Sequence, residues 1–176
     1  MKRINKRNSF NTFFVNKYGI ASSCEIHPKI LESDITKINE DDYINISNYD
    51  RVYVISSALK DWFKKIYPIL KKKQTKIILV TGDSIKNTPL EALSINYITF
   101  NKIIDEKVII HWFCQNCDYQ DHKNITPIPV GIDYHTINRQ AYWGQLKTHY
   151  LLQDLNLYLL SNRTFRDIER RRYDLF

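Results

Sequence analysis

The chain has 176 residues, 43% of them hydrophobic, which is enough for one sizeable core and too few for two full domains. Its formal net charge of +7 attracts phosphates and acidic surfaces at long range, but charge alone does not specify a fold. No apolar run approaches the roughly 20 residues that span a bilayer, and no apolar stretch follows the basic residues 1–8, so we predict a soluble, intracellular protein of the cytoplasm with no membrane partner.

The hydrophobic pattern predicts a strand, a helix and a second strand early in the middle of the chain. Residues 51–55 and 76–80 have the strand pattern. Residues 57–71 carry apolar side chains at helical spacing, and Ser57 is the predicted N-cap of this helix. Pro68 is predicted to kink the helix or end it.

A second helix and a third strand follow in the same alternation. Residues 90–105 are predicted to be mostly helical, and residues 108–113 form the third strand. Near-continuous apolar strands of this kind are typical of a parallel sheet with helices on both faces. The fold class is therefore predicted as α/β, a Rossmann-like three-layer domain with a mostly parallel sheet.

Two regions are predicted along the chain. Residues 1–150 form a single Rossmann-like α/β domain, and residues 151–176 form a C-terminal helix with a basic tail. Leucines at amphipathic spacing from Leu151 to Leu160 predict this helix, and an arginine-rich end follows it.

Polar residues come directly after the second predicted strand, where open α/β sheets bind ligands. Gly82 permits a tight turn, and Asp83 and Ser84 with Thr81 offer groups that could bind a sugar hydroxyl or a phosphate. The spacing of a P-loop is absent, so an ordinary capping turn is the competing interpretation.

The segment after the third strand is the strongest functional candidate. Gln115 and Asn116 offer amide groups, and Asp133 and His135 offer hydrogen-bonding or acid-base groups. Asp118 and His122 offer groups of the same kinds, but a lone histidine in a loop is more often a structural residue than a catalyst. This mixture suits a polyhydroxylated ligand, and no catalytic residue is assigned.

Two other clusters have a functional and a structural interpretation. Four zinc ligands could come from the pairs Cys24 with His27 and Cys114 with Cys117, but a large part of the predicted sheet separates the pairs, so we predict no metal. The arginines of residues 163–172 could grip a diphosphate, but such residues also favour a helix end simply by complementing its dipole.

The basic blocks lack the interleaved aromatic residues that stack nucleic-acid bases, so we do not expect nucleic acid as a partner and keep it as a minor alternative. An odd count of three cysteines argues against a disulfide framework and fits a reducing compartment.

Several blocks of the sequence resemble exostosin-like glycosyltransferases encoded by giant DNA viruses, over residues 18–144. The most specific of these is His111-Trp-Phe-Cys-Gln-Asn116 followed by Ile128-Pro-Val-Gly-Ile-Asp-Tyr-His-Thr136, and the others are Cys24-Glu-Ile-His-Pro-Lys29 and Ile77-Ile-Leu-Val-Thr-Gly-Asp-Ser84.

The resemblance implies the N-terminal, acceptor-side half of a GT-B architecture, in a protein of the host cytoplasm. Its partners would be a nucleotide-sugar or a glycan, and no metal or other cofactor is obligatory. In this family a second α/β half usually binds the donor, so we expect this chain to be incomplete as an enzyme. The alternative is a non-catalytic accessory module whose open face is covered in a homo- or hetero-oligomer.

Overall fold

The computed structural model describes residues 12–32, 34–119, 122–132 and 150–164. Within these ranges no helix is long and apolar enough to cross a membrane. The regular elements, in chain order, are α1 (Lys17–Ser22), a first 3₁₀ turn (Glu40–Tyr43), β1 (Arg51–Ile55), a second 3₁₀ turn (Ser56–Ala58), α2 (Leu59–Lys65), α3 (Tyr67–Lys72), β2 (Ile77–Gly82), α4 (Leu90–Leu93), α5 (Tyr97–Asp105), β3 (Ile109–Cys114), β4 (Ile125–Pro127) and α6 (Tyr150–Thr164).

The centre of the molecule is a four-stranded parallel sheet in the order β1-β2-β3-β4. The register places the last residues of β1 and β2 side by side, since Ile55 lies opposite Gly82, and Thr81 lies opposite Cys114 at the end of β3. The predicted α/β Rossmann-like fold and its three predicted strands are confirmed. The short strand β4, from Ile125 to Pro127, escaped the hydrophobic pattern because only its first residue is buried.

One face of the sheet is covered by the helices that connect the strands. Strand order follows chain order, so the crossovers through α2 and α3 and through α4 and α5 pack on the same side. The side chains of Trp62, Phe100 and Trp112 meet in this cluster with no exposed surface. Burial of such aromatic side chains supplies much of the driving force for folding.

The other face of the sheet is covered by the N-terminal segment. Tyr53 and Ile55 of β1 and Val80 of β2 pack against Ala21 of α1 and the Cys24 side chain, which completes the three layers. Burial raises the pKa of the Cys24 thiol to about 11, so this cysteine is an inert core residue.

A salt bridge fixes this segment to the edge of the sheet. The Arg51 guanidinium donates to both carboxylate oxygens of Glu25, at 3.0 and 2.5 Å, and the neighbouring Ile26 forms a parallel bridge with Val52. The Arg51 hydrogen bond lowers the pKa of Glu25 to about 2.

The predicted helix over residues 57–71 is two helices, with Ile66 at the break between α2 and α3. Pro68 lies in the first turn of α3 and therefore begins a helix, because its missing N–H is not needed there. The prediction of Ser57 as an N-cap is wrong. Ser57 lies inside the second 3₁₀ turn, and its hydroxyl donates to the Ile35 carbonyl at 2.7 Å.

The predicted helix over residues 90–105 is also divided. Ser94 ends α4 in the left-handed conformation, with φ of 57°. Asn96 then caps α5, because its side-chain oxygen accepts from the Thr99 N–H at 2.9 Å.

Helix α6 contacts the N-terminal segment through Asp154 and Tyr158. Asp154 is 1% exposed and its carboxylate accepts from the backbone N–H groups of Phe13 and Phe14, at 2.6 and 3.2 Å. Tyr158 stacks on Phe13. Four leucines of the amphipathic pattern are exposed, namely Leu151, Leu152, Leu155 and Leu159.

Candidate functional site

The predicted polar residues after β2 and β3 meet at the carboxyl edge of the sheet. The side-chain oxygen of Gln115 accepts from the Asp83 N–H at 2.9 Å, and the side-chain nitrogen of Asn116 donates to the Ser84 carbonyl at the same distance. The structure therefore brings Gly82, Asp83, Ser84, Gln115 and Asn116 together. Asp133 and His135 lie outside the described residues.

Gly82 is required here because the two loops approach closely. A β-carbon at Gly82 would overlap the side-chain oxygen of Gln115 and come within 2.7 Å of its amide carbon. The chain turns away from the sheet at Asp83 and at Asn116. Both residues adopt the left-handed conformation, with φ of 56° and 47°. Asp and Asn tolerate this conformation better than most residues, which explains their presence at these turns.

Gln115 holds a third loop against the other two. Its side-chain nitrogen donates to the carbonyls of Pro129 and Val130, at 3.1 and 3.2 Å, and the residue is 3% exposed. Both ends of this amide are therefore used within the protein. Its role in the structure is to join three loops of the carboxyl edge.

A buried ion pair lies beside these loops. The Lys17 ammonium lies 3.1 Å from both carboxylate oxygens of Asp83 and donates to the Leu31 carbonyl at 3.0 Å. The side chains of Lys17 and Asp83 are 8% and 9% exposed. The pair joins α1 to the end of β2, so Asp83 serves as an anchor as well as a polar group of the edge.

Thr81 supports the edge from inside the sheet. Its hydroxyl accepts from the Trp112 indole N–H at 2.9 Å, and both residues are fully buried. The Thr81 hydroxyl, which we considered as a ligand group, therefore faces the core.

Asp118 has a structural role. Its two carboxylate oxygens accept from the backbone N–H groups of Leu90 and Glu91, at 3.0 and 2.9 Å, and so satisfy the first turn of α4. The Thr88 backbone pairs with both Asn116 and Asp118. The first turn of α4 is thus capped by Asp118, a residue of the segment after β3.

The four cysteine and histidine residues that could form a zinc site are not brought together. Cys24 lies in the core cluster on one face of the sheet, and Cys114 lies in the cluster on the opposite face with Cys117 against it. Among the described residues no three His, Cys, Asp or Glu side chains are close enough to share a metal ion. Burial raises the pKa of the Cys114 thiol.

Two histidines, one in β3 and one in the loop that follows it, have protein partners. The Nδ1 atom of His122 accepts from the Asn124 N–H at 3.2 Å, within a loop. The Nε2 atom of His111 lies 2.9 Å from the Thr126 hydroxyl, which joins β3 to β4. Burial lowers the pKa of His111 from its usual value.

We expect the stability of the protein to fall as the pH is lowered through the range just below 6.5. The unfolded chain binds a proton at His111 more tightly than the folded chain, so protonation favours unfolding over the interval between the two pKa values. The His111→Gln variant removes this titration and should show a flatter pH dependence of the free energy of unfolding, measured by urea denaturation. Equal slopes for wild type and variant would contradict this assignment.

Sequence reasoning missed Lys17 and Tyr53 as parts of this region. The Tyr53 hydroxyl is buried and has no hydrogen-bond partner within the described ranges, and burial and the nearby Asp83 charge raise its pKa. Lys17 is separated from Asp83 by 66 positions and lies in a segment with no readable pattern.

No protein-family model, no curated protein and no solved structure matches this chain.

Proposed function

We propose that this chain is a glycosyltransferase-like protein of the exostosin-like type that contributes the acceptor-side half of a GT-B architecture. The observation that carries the proposal is the meeting of two motif blocks, residues 77–84 and 111–116, at the carboxyl edge of a parallel sheet. Open α/β sheets bind their ligands at this edge. The ligand would be a nucleotide-sugar or the glycan that accepts the sugar.

The groups left for a ligand are those on the outer side of the joined loops. Ser84 uses its hydroxyl oxygen to accept from the Lys86 N–H at 3.2 Å, so its hydroxyl hydrogen can donate to a sugar oxygen. Asn116 commits its amide nitrogen to Ser84 and retains the acceptor capacity of its amide oxygen. Ile85, next to Ser84, is 98% exposed and can cover the apolar face of a sugar ring.

The test is a calorimetric titration of the full chain with UDP- and GDP-sugars and with a panel of acceptor glycans. We expect saturable binding that the Ser84→Ala and Asn116→Gly variants weaken, since glycine removes the amide but keeps the positive φ of Asn116. The exposed Asn45, which precedes β1, provides a matched Asn45→Gly control. Binding should then be followed by assays of sugar transfer and of donor hydrolysis.

Absence of binding by the folded chain to every donor and acceptor would contradict the proposal. Binding that is unchanged in both the Ser84→Ala and the Asn116→Gly variants would also contradict it, because the ligand would then bind elsewhere.

A second candidate function is a non-catalytic accessory module that pairs with another chain. The observation that favours it is the exposed leucine face of α6, formed by Leu151, Leu152, Leu155 and Leu159. Exposed apolar patches of this kind mark interaction sites. Light scattering tests this candidate. If the wild-type chain and the Leu152→Glu variant are both monomeric at all concentrations, self-association through this face is excluded.

A further inference from the structure

Two of the three cysteines lie close together at the carboxyl end of β3. Cys114 is the last residue of β3, and Cys117 follows after two residues. Side chains at this spacing meet only when the chain between them turns, and Asn116 provides that turn with φ of 47°. Cys114 belongs to the buried cluster on the helix-covered face of the sheet, and Cys117 packs against the same cluster. The two thiols are therefore neighbours in the fold as well as in the sequence.

The backbone around this pair is fixed by hydrogen bonds to other parts of the fold. The Cys114 carbonyl accepts from the Ile128 N–H at 2.9 Å. Cys117 forms a parallel bridge with Thr88, whose N–H and carbonyl bond to the residues on either side of Cys117, at 2.9 and 3.0 Å. Folding thus brings the two thiols together before any oxidant arrives, so a bond between them costs little further chain entropy.

The two thiols differ in their access to solvent. Cys114 has no exposed surface, whereas Cys117 is half-buried. Burial, and after it a hydrogen bond with the Cys117 side chain, raise the pKa of the Cys114 thiol. The Cys117 thiol donates to the Tyr119 carbonyl at 3.4 Å. A dissolved reagent therefore reaches Cys117 first, and Cys114 is placed to react only with a group already attached to Cys117.

The third cysteine cannot take part in this chemistry. Cys24 lies in the cluster on the opposite face of the sheet, with Tyr53 and Val80. The sulfur atoms of a disulfide are about 2.05 Å apart, a distance that Cys24 cannot reach through the sheet. Oxidation within one chain is thus directed to Cys114 and Cys117.

We propose that Cys114 and Cys117 form a redox-sensitive site that closes into a reversible disulfide when it reacts with a low-molecular-weight disulfide such as oxidised glutathione. Disulfides of this transient kind act as redox sensors in reducing compartments. This inference does not rest on the proposed glycosyltransferase-like function.

The reaction has two exchange steps. In the first, the Cys117 sulfur loses its proton and attacks one sulfur of the glutathione disulfide, whose S–S bond breaks, and one glutathione leaves and takes up a proton. In the second, the Cys114 sulfur loses its proton and attacks the Cys117 sulfur, and the second glutathione leaves as a thiol. Two electrons pass from the cysteine pair to the glutathione disulfide.

The closed ring would contain Gln115 and Asn116, two residues that join the loops of the carboxyl edge. Oxidation would therefore fix the backbone turn at the candidate site.

The experiment exposes the full, folded chain to graded ratios of reduced and oxidised glutathione. After an acid quench, free thiols are blocked with N-ethylmaleimide in denaturant, and tryptic peptides are analysed by mass spectrometry. Both cysteines of the pair fall in the peptide of residues 108–123, and Cys24 falls in the peptide of residues 18–29. We expect the first peptide to lose two hydrogen atoms and to carry no blocking group, while Cys24 is blocked.

The same chain unfolded in guanidinium chloride provides the reference. We expect the equilibrium constant for closure with glutathione to be at least about tenfold larger in the folded chain, because folding brings the two thiols together.

Three variants test the order of the steps. Cys114→Ala removes the second thiol and should leave one glutathione attached to Cys117. Cys117→Ser removes the accessible thiol and should leave the buried Cys114 unmodified in the folded chain. Cys24→Ala is the matched control, and its pair should oxidise as in the wild type.

A wild-type chain that retains glutathione on Cys117 without closing the ring would overturn the proposal, as would a disulfide to Cys24 or to a second chain. A closure constant that is no larger in the folded than in the unfolded chain would overturn it as well, and so would modification of Cys114 in the folded Cys117→Ser variant.

Discussion

The Trp112→Ala variant is expected to lose about 3–5 kcal/mol of unfolding free energy, the range typical of large aromatic residues removed from a core. Trp112 lies in the centre of β3 with no exposed surface. Its ring packs against Phe63 and Phe100, with centroid distances of 5.9 and 5.7 Å, and its indole N–H donates to Thr81. The cavity left by alanine would reach the end of β2, so the loss should appear in urea denaturation as a lower midpoint with an unchanged slope.

Two further variants separate packing from hydrogen bonding at this position. Thr81→Val leaves the buried indole N–H without an acceptor and should cost about 1–3 kcal/mol. When Thr81→Val is added to the Trp112→Phe variant, the further loss of unfolding free energy should be much smaller, because phenylalanine has no indole N–H that needs an acceptor. A loss below about 1 kcal/mol for Trp112→Ala would show that β3 does not depend on this residue for its packing.

The strands were predictable because a parallel sheet buried on both faces needs apolar residues at nearly every position. Residues 77–80 and 109–114 meet this condition, and the observed β2 and β3 begin one residue later than predicted and end two residues and one residue later. The short strand β4 could not be predicted in this way. Its residues Thr126 and Pro127 are only partly buried or exposed, and it exists because β3 offers a free edge next to it.

The helix boundaries depend on contacts that local sequence does not reveal. Ser57 is of a residue type that often caps helices. Its hydroxyl instead donates to the carbonyl of Ile35, which lies 22 positions earlier in the chain. Asp61, which would be an ordinary solvated residue of α2, instead accepts from the Ile38 N–H. These bonds belong to the segment that covers the second face of the sheet, whose sequence shows no regular pattern.

The location of the candidate site followed from a rule about strand ends, and its internal connections did not. Gly82 and Asn116 were placed correctly at one edge because neighbouring parallel strands end there. The rule cannot tell a ligand group from a group bonded within the protein, as Gln115 illustrates. The contact of α6 was equally hidden in the sequence, since Asp154 accepts from two backbone N–H groups that are 141 and 140 positions away.

The Lys17→Met variant is expected to lose about 3 kcal/mol of unfolding free energy, because breaking a buried ion pair leaves one charge without compensation in a poorly solvated place. Lys17 and Asp83 are both nine-tenths buried, and the ammonium lies 3.1 Å from the carboxylate. Methionine keeps the length and apolar surface of the lysine stem, so the loss reports the charge and its hydrogen bonds to Asp83 and Leu31.

The double variant Lys17→Met with Asp83→Asn separates the ion pair from the packing around it. Asparagine tolerates the left-handed backbone of Asp83, and removal of both charges should restore most of the stability that the single variant loses. The exposed pair of Lys71 and Glu106 is the matched control, and Lys71→Met should change stability by no more than about 1 kcal/mol. If the double variant were no more stable than Lys17→Met, the penalty would come from lost packing. The joint between α1 and the carboxyl edge would then depend on the lysine stem instead of on its charge.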